Sequence, residues 1–181
     1  MVHRPEPGAI RRLAAALRGD RSGGREPVRG LYLWGGVGRG KTHLMDLFFE
    51  SLPFSERQRT HFHRFMQHVH QQLRELTGHK NPLKIVGERI AEDVRVLCFD
   101  EFFVSDITDA MLLAGLLEEL FARGVTLVVT SNVEPCNLYR DGLQRQRFLP
   151  AIALIERHAK VLNVDGGIDH RLRLLEQAEL Y

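Results

Sequence analysis

The stretch GGVGRGKT, residues 35–42, constrains this chain more than any other. It satisfies G-x-x-x-x-G-K-[ST] and lies between a short apolar run, LYLW (31–34), and KTHLMDLFFESL. In the latter, Leu44, Phe48 and Leu52 fall at i, i+4 and i+8, the spacing of a helix with one buried face. Glycines keep side chains out of the turn, so backbone N–H groups can close around phosphate oxygens, and the next helix aims its positive end at the same point. The expected cradle is Gly35, Gly36, Val37, Gly38, Arg39, Gly40, Lys41 and Thr42. Lys41 would place its charge between the β- and γ-phosphates of a bound nucleotide, and Thr42 would offer a hydroxyl to Mg²⁺. A strand feeding such a loop demands an α/β fold.

The rest of the chain reads the same way. AIRRLAAALRG (9–19) has helical spacing and ends in glycine. RTHFHRF (59–65) reads as a second strand, MQHVHQQLRELTG (66–78) as a helix, and PLKIVGERIAED (82–93) as another that starts on proline. VRVLCFDEF (94–102) is a continuous apolar strand. DITDAMLLAGLLEELFARG (106–124) is a helix with Asp106 as its cap and Gly124 as its stop. VTLVVTSN (125–132) is a strand, LYRDGLQRQRFLPAIALIERHA (138–159) a helix broken at Pro150, and KVLNV (160–164) a last strand. Near-continuous apolar strands alternating with helices imply a five-stranded parallel sheet covered on both faces, with ligands off the carboxyl ends of the strands. The expected architecture is a three-layer α/β/α P-loop NTPase core over 30–165, preceded by a basic segment and linker (1–29) and followed by 166–181.

Two strand ends carry the remaining chemistry. The run VLCFDE delivers Asp100, the expected Mg²⁺ partner, and Glu101. Neighbours on a strand point opposite ways, but a turn at the strand end can bring Glu101 to the γ-phosphate side, where a carboxylate can orient or deprotonate a water. LVVTSN ends in Thr130, Ser131 and Asn132, and the Asn132 amide could hold that water against Glu101. This pattern favours hydrolysis over transfer to an organic acceptor.

GVGRGKT, LCFDEFFVSDITDAMLL, TSN and GLQRQRFLPAI together closely resemble the AFG-type ATPases of the AAA+ group, from about Leu31 to the end of the chain. The resemblance implies an AAA+ module that hydrolyses ATP as a homo-oligomer and acts on protein partners, in bacteria in cell division. It also implies a helical lid beyond Tyr181, so a C-terminal lid largely absent from this chain is expected. In DGGIDHRLR (165–173), His170 stands where the family has a tyrosine, and Arg171 and Arg173 are candidates to face the nucleotide.

The resemblance also gives GLQRQRFLP (142–150) a place, facing the next subunit's nucleotide. Loop amides, Lys41, Thr42, Asp100, Glu101 and Asn132 leave one role open, a cation for the charge that builds on the transferring phosphoryl group. On a helix, residues two apart point roughly 200° apart, so Arg145 and Arg147 should not both reach one phosphate. Arg147, followed by Phe148, resembles an arginine finger; Arg145 would make an ion pair.

Composition excludes little. Charged residues are 27% and the net charge is +2, too small to argue for nucleic acid by itself. The first 29 residues hold seven arginines against three acids, which keeps a nucleotide-dependent binding module like the helicase loaders as an alternative, beside a P-loop kinase. No run approaches the ~18 apolar residues of a membrane span. Cys98 and Cys136 make no disulfide framework, and a reducing, cytoplasmic setting is expected. His61, His63, His68 and His70 form two H-x-H pairs, but no cysteine or acid lies at ligand spacing. His63 and Arg64 are expected to rim the nucleotide cleft or a subunit contact.

Overall fold

The computed structural model describes residues 7–19 and 28–165. In chain order it runs α1 (Pro7–Gly19), β1 (Gly30–Trp34), α2 (Lys41–Ser51), β2 (Arg57–His61), α3 (Phe62–Glu75), α4 (Pro82–Asp93), β3 (Val96–Asp100), α5 (Ile107–Ala122), β4 (Thr126–Ser131), a 3₁₀ turn (Pro135–Asn137), α6 (Arg145–His158) and β5 (Ala159–Asn163). All strand pairs are parallel, and the sheet order is β2-β3-β4-β1-β5.

Strand periodicity sorts the core into two layers. Leu31 and Leu33 of β1, Val96 and Cys98 of β3, and Val128 of β4 face α1 and α2, packing on Leu13, Leu17, Met45 and Phe48. Tyr32, Leu97, Phe99, Leu127 and Val129 face the other way, against α3, α4, α5 and α6. The expected three-layer α/β/α arrangement is therefore present. Burial pushes the Cys98 thiol up to about 12, so this cysteine is a packed apolar group. Among the described residues, no helix is long and apolar enough to cross a membrane.

Two expected spans need correction. The strand read over 59–65 ends at His61, and Phe62 to Phe65 already belong to α3. Phe62, Phe65, Met66 and Val69 are buried at helical spacing, and that face decided the local structure. His61 and His63 therefore share no strand. The helix read over 138–159 begins only at Arg145, because Tyr139 (φ 53°) and Gln144 (φ 55°) are left-handed and interrupt it. Tyr139 donates its hydroxyl to the Leu143 carbonyl at 2.8 Å and packs edge-on to Phe148, which fixes this turn. Pro150 lies inside α6 and does not break it. The ring is exposed, so the Gln146 carbonyl it displaces can tilt toward water.

Candidate nucleotide site

β1 ends at Trp34, and its neighbours fix where the next residue goes. The Gly35 amide donates to the Ser131 carbonyl of β4 at 3.2 Å. Gly38 and Gly40 then hold φ at 76° and 84°, which L side chains rarely adopt, and Gly40 caps α2. A Cβ on either would meet nothing within 4 Å among the described residues, so conformation rather than crowding requires glycine there. Lys41 and Thr42 are the first residues of α2, at its positive end.

The loop already handles an anionic oxygen. The Gly36 amide donates to Oδ1 of Asp165 at 2.8 Å, and Arg39 Nε stands 3.4 Å from the same oxygen. Asp165 follows β5 and is held by its own amide, which donates to Asn163 Oδ1 at 2.8 Å. Lys41 Nζ donates to the Gly35 and Gly36 carbonyls at 2.6 and 2.5 Å. Desolvation lowers the Lys41 pKa below the usual lysine value; the Asp165 charge opposes this and Arg39 adds to it. An amide that binds a carboxylate, a lysine beside it and a helix N-terminus form a donor set suited to phosphate.

Asp100 ends β3 on the α2 side of the sheet, the side of Val96 and Cys98. It does not stand alone. Arg59 of β2 binds it through two nitrogens, Nε to Oδ2 at 2.6 Å and Nη2 to Oδ1 at 3.2 Å, and gives Nη1 to Asp46 of α2. Those contacts raise the Arg59 pKa, the Asp100 bond first among them, against the cost of burial. Glu101 follows with φ at 52°, the turn needed to redirect it. Its amide donates to Thr130 Oγ1 at 3.2 Å, and the Phe102 amide donates to the Thr130 carbonyl at 2.8 Å. Ser131 donates its hydroxyl to the Phe102 carbonyl at 2.8 Å. The ends of β1, β3 and β4 are thus tied together, with Glu101 and Asn132 exposed on the same knot. Thr42 and Asp100 supply hard oxygens, the donor chemistry Mg²⁺ takes.

The two arginines have different partners, and the hydrogen bond of Arg145 goes to a neutral carbonyl rather than into the expected ion pair. Arg145 donates Nη2 to the Cys136 carbonyl at 2.7 Å and is half-buried. Arg147 is exposed, and its Nη1 donates to Gln144 Oε1 at 3.1 Å. No contact of either with the phosphate loop occurs among the described residues. His170, Arg171 and Arg173 lie outside those residues.

The histidines do not form a metal site: no group of three or more His, Cys, Asp or Glu side chains could hold an ion among the described residues. His70 instead pairs with the buried Asp109 at 2.6 Å. His63 contacts Gln67 on its own helix, and Arg64 lines a groove of about 570 Å³ beside β2 that shares no residue with the phosphate loop.

Three residues escaped the sequence reading: Arg59, Asp46 and Asp165. Only Arg59 left a signal. Arg57 and Arg59 stand two apart on a strand and so share a face, and both reach α2, Arg57 through the Phe49 carbonyl.

The family model of the AFG1-like ATPases matches residues 2–181. This chain belongs to the AFG1-like ATPase family. Cell division protein ZapE of Escherichia coli K12 is 64% identical over 155 residues, covering 86% of this chain and 41% of that protein. This family member thus spans less than half the length of that relative. Among solved structures, DnaI superposes with a TM-score of 0.64 at 16% identity, covering 90% of this chain and 87% of DnaI. AMPPCP-bound DnaA from Aquifex aeolicus superposes with a TM-score of 0.66 at 16% identity, covering 98% of this chain and 52% of DnaA. These two likenesses establish the P-loop AAA+ fold.

Proposed function

We propose that this chain is the nucleotide-binding core of an ATPase that hydrolyses Mg-ATP between two copies of itself and uses the cycle to remodel protein partners. The observation that carries the reading is the Gly36 amide. It holds a carboxylate oxygen beside Lys41, a position suited to a phosphate oxygen. Family membership and the 64% identity to a cell division protein support ATP as the ligand and division as the setting.

The roles follow from the groups. Loop amides and Lys41 hold the phosphates. Thr42 and Asp100 would hold Mg²⁺, which would supply positive charge to the phosphates. Glu101, with Asn132 beside it, orients a water and takes its proton. A carboxylate so placed, with no acceptor group required, favours hydrolysis over kinase chemistry.

The missing cation is Arg147 of a second copy. Arg145 is committed to the Cys136 carbonyl, while Arg147 is exposed and bonded only to the flexible Gln144 among the described residues. An arginine finger in trans contributes about 10³-fold or more to turnover. The test mixes Arg147→Ala subunits with Lys41→Ala subunits, each inert alone. Turnover should return in mixed assemblies, because a Lys41→Ala subunit still offers its Arg147 to an intact nucleotide site. Assembled mixtures that stay inert would sink the trans assignment.

A further inference from the structure

Resting on that nucleotide reading, we propose that Arg59 is a positioning residue of the site. It fixes the Asp100 carboxylate to the face of α2 that carries Thr42, so that the two oxygen donors for Mg²⁺ are held in register before the metal arrives. Thr42 and Asp46 are four residues apart on α2 and share a face. Arg59 joins that face to β3: Nε and Nη2 grip both oxygens of Asp100 at 2.6 and 3.2 Å, and Nη1 takes Asp46. Every guanidinium nitrogen is used, in the planar fork that a carboxylate matches and a lysine cannot reproduce.

The strand register explains how an edge strand reaches the site. Arg59 pairs with Cys98, so it points to the same side of the sheet as Cys98 and Asp100. Docking of β2 on α2 does not need this contact. Arg57 already ties the strand to the end of α2, through the Phe49 and Leu52 carbonyls and by lying 4.6 Å over the Phe49 ring. The two arms of Arg59 also differ in dryness. The Asp100 side chain is 14% exposed and that of Asp46 is 45%, so the Asp100 arm is the stronger and the Asp46 arm the more screened. Without the guanidinium, two carboxylates would face one gap and repel.

Calorimetric binding of a non-hydrolysable ATP analogue, with Mg²⁺ and with a chelator, separates positioning from plain structural support. Wild type should bind more tightly with Mg²⁺. R59Q should keep its metal-free affinity within about 2-fold yet lose about 10-fold or more of the metal-dependent gain, the usual effect of removing an outer-shell partner. Its turnover should need correspondingly more Mg²⁺ for half-maximal rate. R59K should fall between, and D46N should lose less than R59Q. A full metal gain in R59Q, with only a lowered melting temperature, would reduce Arg59 to a strand tie and overturn the proposal. If R59Q does not fold, an undiminished gain in R59K does the same. A wild type that binds the analogue with no metal gain would also overturn the proposal, whereas a wild type that binds no analogue under either condition would remove the nucleotide reading itself.

Discussion

Glu101 holds φ at 52°, a left-handed conformation that a glutamate adopts at a cost of ~1 kcal/mol or more. The hydrogen bond its amide donates to Thr130 Oγ1 helps keep it there. Function and stability therefore oppose each other at this residue. Glu101→Asn, which tolerates positive φ better, should raise unfolding stability by up to ~1 kcal/mol in denaturant titrations while abolishing turnover. A variant both more stable and fully active would remove the carboxylate from the mechanism. The motif residues were readable because their signals are local: spacing marks Lys41 and Thr42, and the end of an apolar run marks Asp100. Asp165 was not readable. It reaches Gly36 across 129 positions of sequence, and no local pattern records a contact that the sheet order creates. Arg59 was half-legible, since alternation gives its face but not which carboxylates occupy it.

At the scale of the element, β1 lies close against β4 at Gly30. A Cβ on Gly30 would come within 1.7 Å of the Leu127 carbonyl oxygen in β4, which is backbone and cannot step aside. Gly30→Ala should force the central strands apart, giving a protein that melts far below wild type or fails to accumulate folded. A normal melting curve would contradict the close packing of β1 on β4. The end of α6 makes a pH-dependent contact. His158 stacks on Phe121 with ring centroids 4.2 Å apart, and burial, helped by the Arg157 charge, lowers its pKa from the usual 6.5. The unfolded chain then binds the proton more readily than the fold. The contribution of His158 is whole above about pH 6.5 and is lost as pH falls through the lowered folded value. Stability against denaturant between pH 7 and 5 should fall less steeply in His158→Gln than in wild type. Element boundaries were misread where two patterns overlapped. Phe62 and Phe65 extend an apparent strand until the buried helical face at Met66 and Val69 is counted with them. The Tyr139 turn was hidden because positive φ at tyrosine leaves no compositional mark.

Across the whole molecule, the alternation of apolar strands with helices was legible as a five-stranded parallel sheet, because each strand in the middle is buried on both faces. The strand order was not, since it depends on which edge each crossover takes. The core is correspondingly concentrated. Phe99 is fully buried among Phe62, Phe65 and Phe102, with centroids 4.8 to 5.8 Å away. Phe99→Ala should destabilise by about 3–5 kcal/mol and, sitting one residue before Asp100, should also loosen the site. The account as a whole stands on the claim that one set of groups binds ATP and another, separable set breaks it. The direct test is to measure ATP binding and phosphate release side by side for wild type, Lys41→Ala and Glu101→Gln under conditions where wild type assembles. The account predicts turnover only in wild type, loss of binding in Lys41→Ala, and retained binding without turnover in Glu101→Gln. Wild-type turnover in Glu101→Gln, or unchanged binding in Lys41→Ala, would contradict it.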